Sequence, residues 1–439
     1  MRLNASKYNQ HWQEKALNEL GDFQRGKSRH RPRNDIELFS GGKHPLIQTG
    51  EIKHANLYIT EHSAAYNDFG LAQSKLWPKN TLCITIAANI AETALLGYPM
   101  CFPDSVVGFN AYPEQSSELF MHYVFTYIRR AIQNSATGSI QDNINIEYLT
   151  SLKFKIPFKN YQEKIAAILS AIDAKIDCNK RINAELEAMA KTLYDYWFVQ
   201  FDFLDANGKP YKSSGGKMVY NATLKREIPA GWEVGPLSDW IASDKTGDWG
   251  KDVADGNYTL SVDCIRGTDI NGLNGTGTVA APTRFILEKN RGKILAPFDF
   301  VIEISGGSPT QSTGRLTLIT SEAIKRFPRP VICSNFCKSI SLGDNAYVFN
   351  FAYLWKSAYE SKVLFGWEGK TSGIKNLLFD AFTSKHMVCM PPQKQAQRFF
   401  DFVSPLEDKR QKLLQENDEL ESLRDWLLPL LMNGQVTVA

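Results

Sequence analysis

The sequence is poor in the features that mark membrane, secreted and metal-binding proteins. Its longest apolar runs, such as Thr81 to Ile90, are far shorter than the roughly 20 residues of a membrane-spanning helix. The seven cysteines are odd in number and include no CxxC pair, so neither a disulfide framework nor a zinc site of familiar spacing is predicted. The N-terminal residues have no signal-peptide core. We therefore expect a cytoplasmic protein.

Familiar catalytic motifs are also missing. The sequence has no GxGxxG, no HExxH, no Asn-Pro-Pro-Tyr or Asp-Pro-Pro-Tyr methyl-transfer motif, and no phosphate-binding loop ending in GK[ST]. Asp299 and Glu303 lie near one another but lack the lysine that a nuclease motif places two residues after the glutamate. The absence of these motifs weakens an enzymatic interpretation without eliminating it, and we predict no cofactor or metal site in this chain. A nuclease with an unrecognised active site remains the alternative.

What the sequence does contain is a tandem repeat, each half of which ends in a long amphipathic helix. From Ile156 to Phe198 apolar residues recur at three- and four-residue spacing, as on one helical seam. A gapless shift of 234 residues matches this stretch to a second helix, expected from about Lys394 to Met432, with Asn433-Gly434 as its stop signal. Among the identical pairs are Pro157 and Pro391, Ser170 and Ser404, Lys175 and Lys409, Asn183 and Asn417, Leu186 and Leu420, and Leu193 and Leu427.

A narrow apolar seam on so long a helix must be covered, and the simplest partner of each helix is the other one. An asparagine in such a seam fixes the register of a coiled coil when it is buried, although the sequence equally allows Asn183 and Asn417 to be exposed. The residues expected to pair are Ile172, Ile176, Asn183, Leu186, Leu193, Leu406, Leu413, Asn417, Leu420 and Leu427.

The remaining sequence predicts two globular α/β (α+β) domains. Trp232 and Leu237 repeat the spacing of Trp12 and Leu17, and a connector rich in Gly, Ser and Lys precedes the second copy. Strands are expected at 81–87, 299–305 and 316–320, and helices at 117–132 and 347–359. We divide the chain into a first domain at 1–152, a central long helix at 153–200, the connector and second domain at 201–388, and the C-terminal long helix at 389–439.

Several polar segments have the chemistry of a nucleic-acid surface. Five cations fall within nine residues and suit phosphate contact, although a solvated loop is an open alternative. Polar loops precede both long helices at the same 234-residue offset, and a Gly-rich loop lies at 306–315; each is a base-reading surface or an ordinary turn. The candidate DNA-binding residues are Arg25, Lys27, Arg29, Arg31, Arg33, Ser139, Gln141 and Asn143 in the first domain, and Ser308, Thr310, Gln311, Arg315, Lys375 and Asn376 in the second.

The chain resembles the specificity (S) subunit of Type I restriction-modification enzymes over essentially its whole length. The resemblance is carried by the order domain, helix, domain, helix and by the stretch KIPFKNYQEKIAAILSAIDAKIDCNKRINAELEAMAKTLYDYWFVQFDF. It extends to the connector GKPYKSSGGKMV, the re-entry REIPAGWEVGPLSDW and the ending ESLRDWLLPLLMNGQ. Where that family usually has Pro-Pro and Glu-Gln pairs before its first helix, this chain has Ile156-Pro157-Phe158 and Gln162-Glu163.

This resemblance implies a non-catalytic subunit that reads a split, asymmetric sequence in double-stranded DNA with two target recognition domains. The long helices would form an antiparallel coiled coil that sets the spacer and docks two modification (methyltransferase) subunits. Those partners would bind S-adenosylmethionine and methylate adenine, and ATP- and Mg-dependent restriction (translocase/nuclease) subunits would join them. At about 50 Å per helix, the spacer would correspond to roughly 15 base pairs. A coiled-coil scaffold that binds only protein is a third possibility.

Overall fold

The computed structural model describes residues 2–87, 90–137, 146–306, 310–371 and 374–438. The chain divides into two compact units, which we call unit 1 (Met1–Cys178 with Asp418–Ala439) and unit 2 (Asn179–Asn417). Each unit contains a globular part and a portion of both long helices, so both helices are divided near their middles. Among the described residues, no helix combines the length and apolarity that crossing a bilayer requires.

In the described residues of unit 1, ten short strands and five α-helices precede the first long helix. Its strands are β1 Arg2–Leu3, β2 Gln13–Ala16, β3 Gly21–Arg25, β4 His44–Leu46, β5 Tyr58–Ile59, β6 Ala64–Tyr66, β7 Leu82–Thr85, β8 Thr93–Leu96, β9 Val106–Ala111 and β10 Lys153–Ile156. Its helices are α1 Leu17–Leu20, α2 Thr49–His54, α3 Asp68–Ala72, α4 Glu118–Thr137, α5 Ile146–Ser151 and the long α6 Lys159–Tyr194, which continues into unit 2.

Unit 2 begins within α6, which a π-helical turn, Asp195–Val199, extends. Its strands are β11 Met218–Asn221, β12 Arg226–Pro229, β13 Glu233–Pro236, β14 Ile241–Thr246, β15 Tyr258–Ile265, β16 Thr283–Leu287, β17 Phe300–Glu303, β18 Ser305–Gly306, β19 Leu316–Leu318, β20 Val331–Cys333, β21 Cys337–Leu342, β22 Glu368–Thr371, β23 Ile374–Leu377 and β24 Met387–Met390. Its helices are α7 Ile270–Leu273, α8 Ser321–Lys325, α9 Val348–Glu360, α10 Phe379–Lys385 and the long α11 Gln393–Met432, which returns to unit 1.

The core of unit 1 lies between a five-stranded sheet and helix α4. The sheet has the order β3-β9-β7-β8-β5, and all four residues of β7 are buried, which confirms the predicted internal strand. The aromatic stripe of α4, including Phe120 and Tyr123, is buried in the same cluster as Leu82 and Phe109. The stripe is therefore core, as its helical spacing indicates.

The core of unit 2 is organised in the same way around helix α9. A four-stranded sheet has the order β14-β21-β17-β19. Its antiparallel strands β17 and β19 correspond to the strands predicted at 299–305 and 316–320. Phe351 and Trp355 of α9 are buried against Phe300 of β17. Unit 2 also contains two three-stranded sheets, β16-β15-β20 and β18-β23-β22, and two two-stranded sheets, β11-β12 and β13-β24.

The tandem repeat is visible in matching strand registers. In unit 1, Gln13 of β2 pairs with Ile156 of β10, immediately before the first long helix. In unit 2, Glu233 of β13 pairs with Met390 of β24, immediately before the second. Each first strand directly follows a buried tryptophan, Trp12 or Trp232. The two halves are therefore copies in structure as well as in sequence.

The long helices pair antiparallel within each unit. In unit 1, Arg424 of α11 bonds Asp173 of α6 at 2.9 Å. In unit 2, Asn179 donates to the side chain of Asn417 at 2.9 Å, and Glu187 accepts from Arg410 at 3.2 Å. From Asn179 to Glu187 the residue numbers rise along α6, while those of their partners fall from Asn417 to Arg410 along α11. The helices are therefore antiparallel, as expected.

The seam between these helices is more polar than the apolar spacing predicted. Of the ten expected pairing residues, Ile176, Asn183, Leu413 and Asn417 are buried, and Ile172, Leu186, Leu193, Leu406, Leu420 and Leu427 are half-buried. Ile182 and Met189, two further apolar residues of α6, are exposed by 38% and 52%. Charged and amide pairs occupy the middle of the seam instead, and Asn179 rather than Asn183 bonds Asn417.

Candidate nucleic-acid interface

The basic run of unit 1 lies on the loop that follows strand β3. Arg25 ends the strand, and all five cations of the run are exposed. The loop leaves the sheet at Gly26, whose N–H donates to the Val106 carbonyl at 2.9 Å. A Cβ atom on Gly26 would lie only 2.3 Å from the carbonyl oxygen of Phe102, so glycine permits the close backbone approach. The fold thus presents the basic run to solvent at the rim of a sheet.

Two cations of this loop are engaged within unit 1. One Nη atom of Arg33 bonds both carboxylate oxygens of Asp104, at 2.8 and 2.9 Å. A guanidinium nitrogen of Arg31 donates to the backbone carbonyls of Ser28 and His30, at 2.6 and 2.8 Å. Asp104 is distant in sequence, which is why the charge pattern alone left Arg33 unpaired. Arg33 is partly neutralised, while Arg31 keeps its charge and stiffens the loop.

The other three cations, Arg25, Lys27 and Arg29, form no ion pair with any described residue. The backbone N–H of Arg29 donates to the side chain of Gln73 at 2.6 Å, which fixes the loop from its neighbour. Lys75 adds a further cation beside it, with its ammonium group 3.7 Å from the centre of the Trp77 ring. Sequence reasoning missed Lys75 because 48 residues separate it from Lys27. These exposed cations are suitable partners for phosphate oxygens.

Four candidate residues lie outside the described part of the chain. Ser139, Gln141 and Asn143 fall in the segment 138–145, and Ser308 falls in 307–309. Their assignment as DNA-binding residues stays a prediction.

The remaining candidates of unit 2 come together around strand β23. Lys375 and Asn376 lie on this strand, between β18 and β22. The Lys375 ammonium pairs with Glu368 at 3.1 Å, and the Asn376 amide oxygen accepts from the Ser305 hydroxyl at 2.5 Å. The pKa of Glu368 is lowered, because hydrogen bonds from Thr313 and Lys375 outweigh the opposite effect of burial.

Arg315 approaches the same sheet but is held in an internal ion pair. Its guanidinium bonds both carboxylate oxygens of Glu303, at 2.9 and 2.6 Å, and only 14% of its side chain is exposed. That hydrogen-bonded pair raises the pKa of Arg315. Thr310 and Gln311 are exposed, with the Gln311 amide 3.4 Å from the Tyr359 hydroxyl. Arg315 therefore organises the loop rather than presenting an uncompensated charge.

Asp299 and Glu303, the two carboxylates considered for a nuclease site, are also held in internal contacts. Asp299 accepts a 2.5 Å hydrogen bond from Ser341 and pairs with Lys245 at 3.3 Å, while Glu303 pairs with Arg315. The described residues contain no cluster of three or more His, Cys, Asp or Glu side chains arranged to hold a metal ion.

The repeat identifies one surface of unit 2 that sequence reasoning missed. Gly247 follows strand β14 as Gly26 follows β3, and a Cβ atom there would lie 1.9 Å from the Ser334 carbonyl oxygen. The loop it begins carries Trp249, which is 38% exposed and packs under the guanidinium of Arg284, 4.3 Å from the ring centre. Its counterpart in unit 1 is the basic loop. In the sequence, only the glycine that follows each strand indicates that the two loops correspond, because the aligned positions after Gly26 and Gly247 are not identical.

Comparison with known proteins identifies the architecture. The family model described as "Type I restriction modification DNA specificity domain" matches residues 9–188. The specificity subunit of the Type I restriction enzyme MjaIX from Methanocaldococcus jannaschii is 24% identical over 97% of this chain and 94% of its own length. The HindI specificity subunit from Haemophilus influenzae is 36% identical over 22% of this chain and 20% of its own.

A solved structure has the same fold. The S subunit of a Type I restriction-modification system from M. genitalium aligns with a TM-score of 0.58 and 18% sequence identity. The alignment covers 98% of this chain and 99% of that one. Both globular parts and both long helices therefore belong to one shared architecture.

Proposed function

We propose that this chain is a Type I restriction-modification DNA specificity subunit and that its two units read the two halves of a split DNA target. The chain supplies sequence specificity. Methylation and cleavage are carried out by partner subunits, and this chain catalyses neither.

The observation that carries this proposal is the repeated strand register. Gln13 pairs with Ile156 before the first long helix, and Glu233 pairs with Met390 before the second. Two copies of one reading unit, joined through antiparallel helices, are suited to two short sequences separated by an unread spacer. The loops of the copies differ in sequence, as an asymmetric target requires.

Phosphate contacts would position each unit, and base contacts would specify the sequence. In unit 1 the exposed cations Arg25, Lys27, Arg29 and Arg31 contact the phosphates. In unit 2, Trp249 occupies the corresponding loop, and the polar groups around Lys375 and Asn376 lie on a separate small sheet. The base-reading residues of each unit are drawn from these surfaces and from the loops that precede the long helices.

The long helices carry apolar side chains in a pattern that suits two copies of one partner. Ile168 and Leu423 of unit 1 are exposed by 36% and 42%. The 234-residue repeat matches them to Phe402 and Met189 of unit 2, which are exposed by 48% and 52%. We assign them to two modification subunits.

The cofactors belong to the partner subunits in this proposal. The modification subunits bind S-adenosylmethionine and transfer its methyl group to adenine. Restriction subunits, which require ATP and Mg²⁺, join the complex for DNA translocation and cleavage.

Co-expression with the methyltransferase encoded beside this gene tests the proposal. Single-molecule sequencing of host DNA is expected to show methylation at a two-part motif only when the specificity chain is present. A matched variant exchanges the loop Gly26–Arg33 for the corresponding loop of another specificity subunit, which should change one half of the motif and preserve the other.

Three other outcomes would contradict the proposal. Methylation that does not depend on this chain removes the specificity role. Metal-dependent cleavage of DNA by the purified chain alone supports the nuclease alternative. A complex with the methyltransferase that has no affinity for DNA supports a protein-binding scaffold.

A further inference from the structure

Unit 1 contains an apolar groove where its N-terminal segment, the start of α6 and the C-terminal tail meet. The cavity has a volume of about 320 Å³. Its lining includes Trp12, Phe158, Tyr161, Tyr8 and Thr437. Phe158 is 69% exposed and Tyr8 is 44% exposed. A cavity of this size lies at the low end of the range of about 300–1,000 Å³ for ligand pockets.

The second copy of the repeat shows what such a groove accepts. In unit 2, the ring of Phe203 stacks on Trp232 with centroids 5.2 Å apart, and Tyr211 also stacks on Phe203, at 4.7 Å. Phe201 meets Trp232 edge-on at 5.4 Å. Trp232 holds the same strand position as Trp12, so the equivalent groove of unit 2 is filled by the chain's own aromatic segment Phe201-Asp202-Phe203.

Unit 1 has small or polar residues where that aromatic segment belongs. The 234-residue repeat matches Thr437 to Phe203 and Gln435 to Phe201. Thr437 lines the groove but has no ring to stack on Trp12. Trp12 has only edge contacts with neighbouring rings in the described structure, with Tyr161 at 6.3 Å and His11 at 6.5 Å. The face that Phe203 covers in the copy is left without an aromatic partner.

The charges around the two grooves indicate the character of the missing segment. In unit 2, the Arg226 guanidinium lies 4.6 Å from the centre of the Phe201 ring, and Arg398 donates to the Leu204 carbonyl at 3.2 Å. In unit 1, Lys155 donates to the Trp12 carbonyl at 3.1 Å, and the Lys7 ammonium lies 4.9 Å from the centre of the Tyr8 ring. Both grooves are bordered by cations, which favour aromatic and acidic side chains.

We propose that the groove of unit 1 binds an extended segment of the modification subunit, and that this segment places an aromatic side chain on Trp12. Aromatic side chains that fill pockets contribute much of the affinity of protein interfaces. The partner supplies the ring that Phe203 supplies in unit 2. This assignment rests on the proposed function, because it identifies the occupant as a component of the same complex.

Titration of the modification subunit onto the immobilised full-length chain tests the proposal. Thr437→Phe fills the groove with the aromatic ring found in the copy, and Phe158→Ala removes an exposed wall. Both variants are expected to weaken the affinity at least tenfold. Tyr220→Ala is the matched control, since Tyr220 is an aromatic residue with 65% exposure outside the groove, and it should leave the affinity unchanged.

A peptide copying residues 200–212 provides a probe that does not depend on the partner. It is expected to bind the full-length wild-type chain, to compete with the modification subunit and to lose affinity for the Thr437→Phe variant. Melting curves of the variants should match that of the wild type, because both substituted positions are exposed.

The remaining outcomes overturn the proposal in distinguishable ways. Equal binding of the modification subunit by the wild type and both variants rejects the groove and leaves the specificity function intact. Loss of self-association in the variants, with unchanged affinity for the modification subunit, assigns the groove to a second copy of this chain. A wild-type chain that binds no modification subunit removes the proposed function and this partner together.

Discussion

The hydroxyl of Tyr123 donates a buried 2.6 Å hydrogen bond to Asp173, and this contact joins the globular part of unit 1 to its long helix. The other carboxylate oxygen of Asp173 accepts from Arg424 of the second long helix at 2.9 Å. In unit 2, the half-buried Tyr353 of helix α9 lies near charges of both long helices, including Glu407 and Glu187. Burial raises the pKa of Tyr353. A tyrosine of the globular part thus contacts the long helices in each unit, through a hydrogen bond at Tyr123 and through ring packing on Tyr194 and Phe399 at Tyr353.

Replacement of Tyr123 with phenylalanine keeps the ring and removes this hydrogen bond. Since hydrogen bonds to charged groups contribute about 1.5–3 kcal/mol, we expect the free energy of unfolding to fall by about 2 kcal/mol. Urea denaturation measures the change. Tyr127→Phe on the same helix is the control and should alter stability by less than about 0.5 kcal/mol. Equal stabilities of the two variants would show that the contact does not hold unit 1 together.

His122 makes the stability of unit 1 sensitive to acid. Burial lowers its pKa to about 4, with Arg129 and Arg424 acting in the same direction and Asp173 opposing them. Between pH 6.5 and 4 the unfolded chain therefore binds a proton that the folded chain does not bind, so stability falls as the pH falls. The full loss is about 3 kcal/mol.

Unfolding free energies of the wild type and of His122→Gln between pH 7.5 and 4 test this linkage. Glutamine cannot be protonated in that range, so the variant should lose less stability on acidification. Parallel pH profiles would mean that His122 is not responsible.

The buried amide of Asn183 lowers the stability of the helix pair. Neither its oxygen nor its nitrogen has a hydrogen-bond partner among the described residues, whereas Asn417 bonds Asn179. Because an unpaired buried polar group costs about 1–3 kcal/mol, Asn183→Leu should raise the free energy of unfolding by about 1 kcal/mol. Asn417→Leu removes a partner of Asn179 and should lower it by a similar amount. Thermal denaturation of both variants checks the signs, and a shift of both in one direction would contradict this account.

The basic loop predicts a specific change in the salt dependence of DNA binding. Arg29 forms no ion pair with the residues that the structure describes, and Arg31 bonds only backbone carbonyls among them, so both charges remain for phosphates. The double variant Arg29→Ala, Arg31→Ala should weaken binding and reduce the slope of log K against log salt by about two. Arg33→Ala is the comparison, because Asp104 already neutralises Arg33, and it should have the smaller effect. An unchanged slope in the double variant would remove the loop from the interface.

The sequence was informative where the structure is periodic and repeated. The spacing from Ile165 to Leu193 predicted α6, and the 234-residue shift predicted α11 and the repeat. Periodicity does not identify which polar residues face the seam, because a pair such as Asp173 and Arg424 is stable there only when both are present. The ion pairs of Arg33 with Asp104 and of Arg315 with Glu303 depend on tertiary contacts, and no local pattern indicated them.

If the helix pair sets the spacer, lengthening both helices together should widen the gap between the two halves of the DNA motif. An insertion near Cys178 in one helix alone would displace Asp173 from Arg424 or Glu187 from Arg410, and misfolding would then obscure any effect on the spacing. Matched insertions of seven residues, after Cys178 and after Asn417, retain both sets of partners because a seven-residue repeat preserves the seam. They lengthen the pair by about 10 Å, or about three base pairs. The two halves of the methylated motif should therefore keep their sequences while the gap between them grows, as sequencing of modified host DNA would show. An unchanged gap from a folded, active variant would exclude the helices as the spacer.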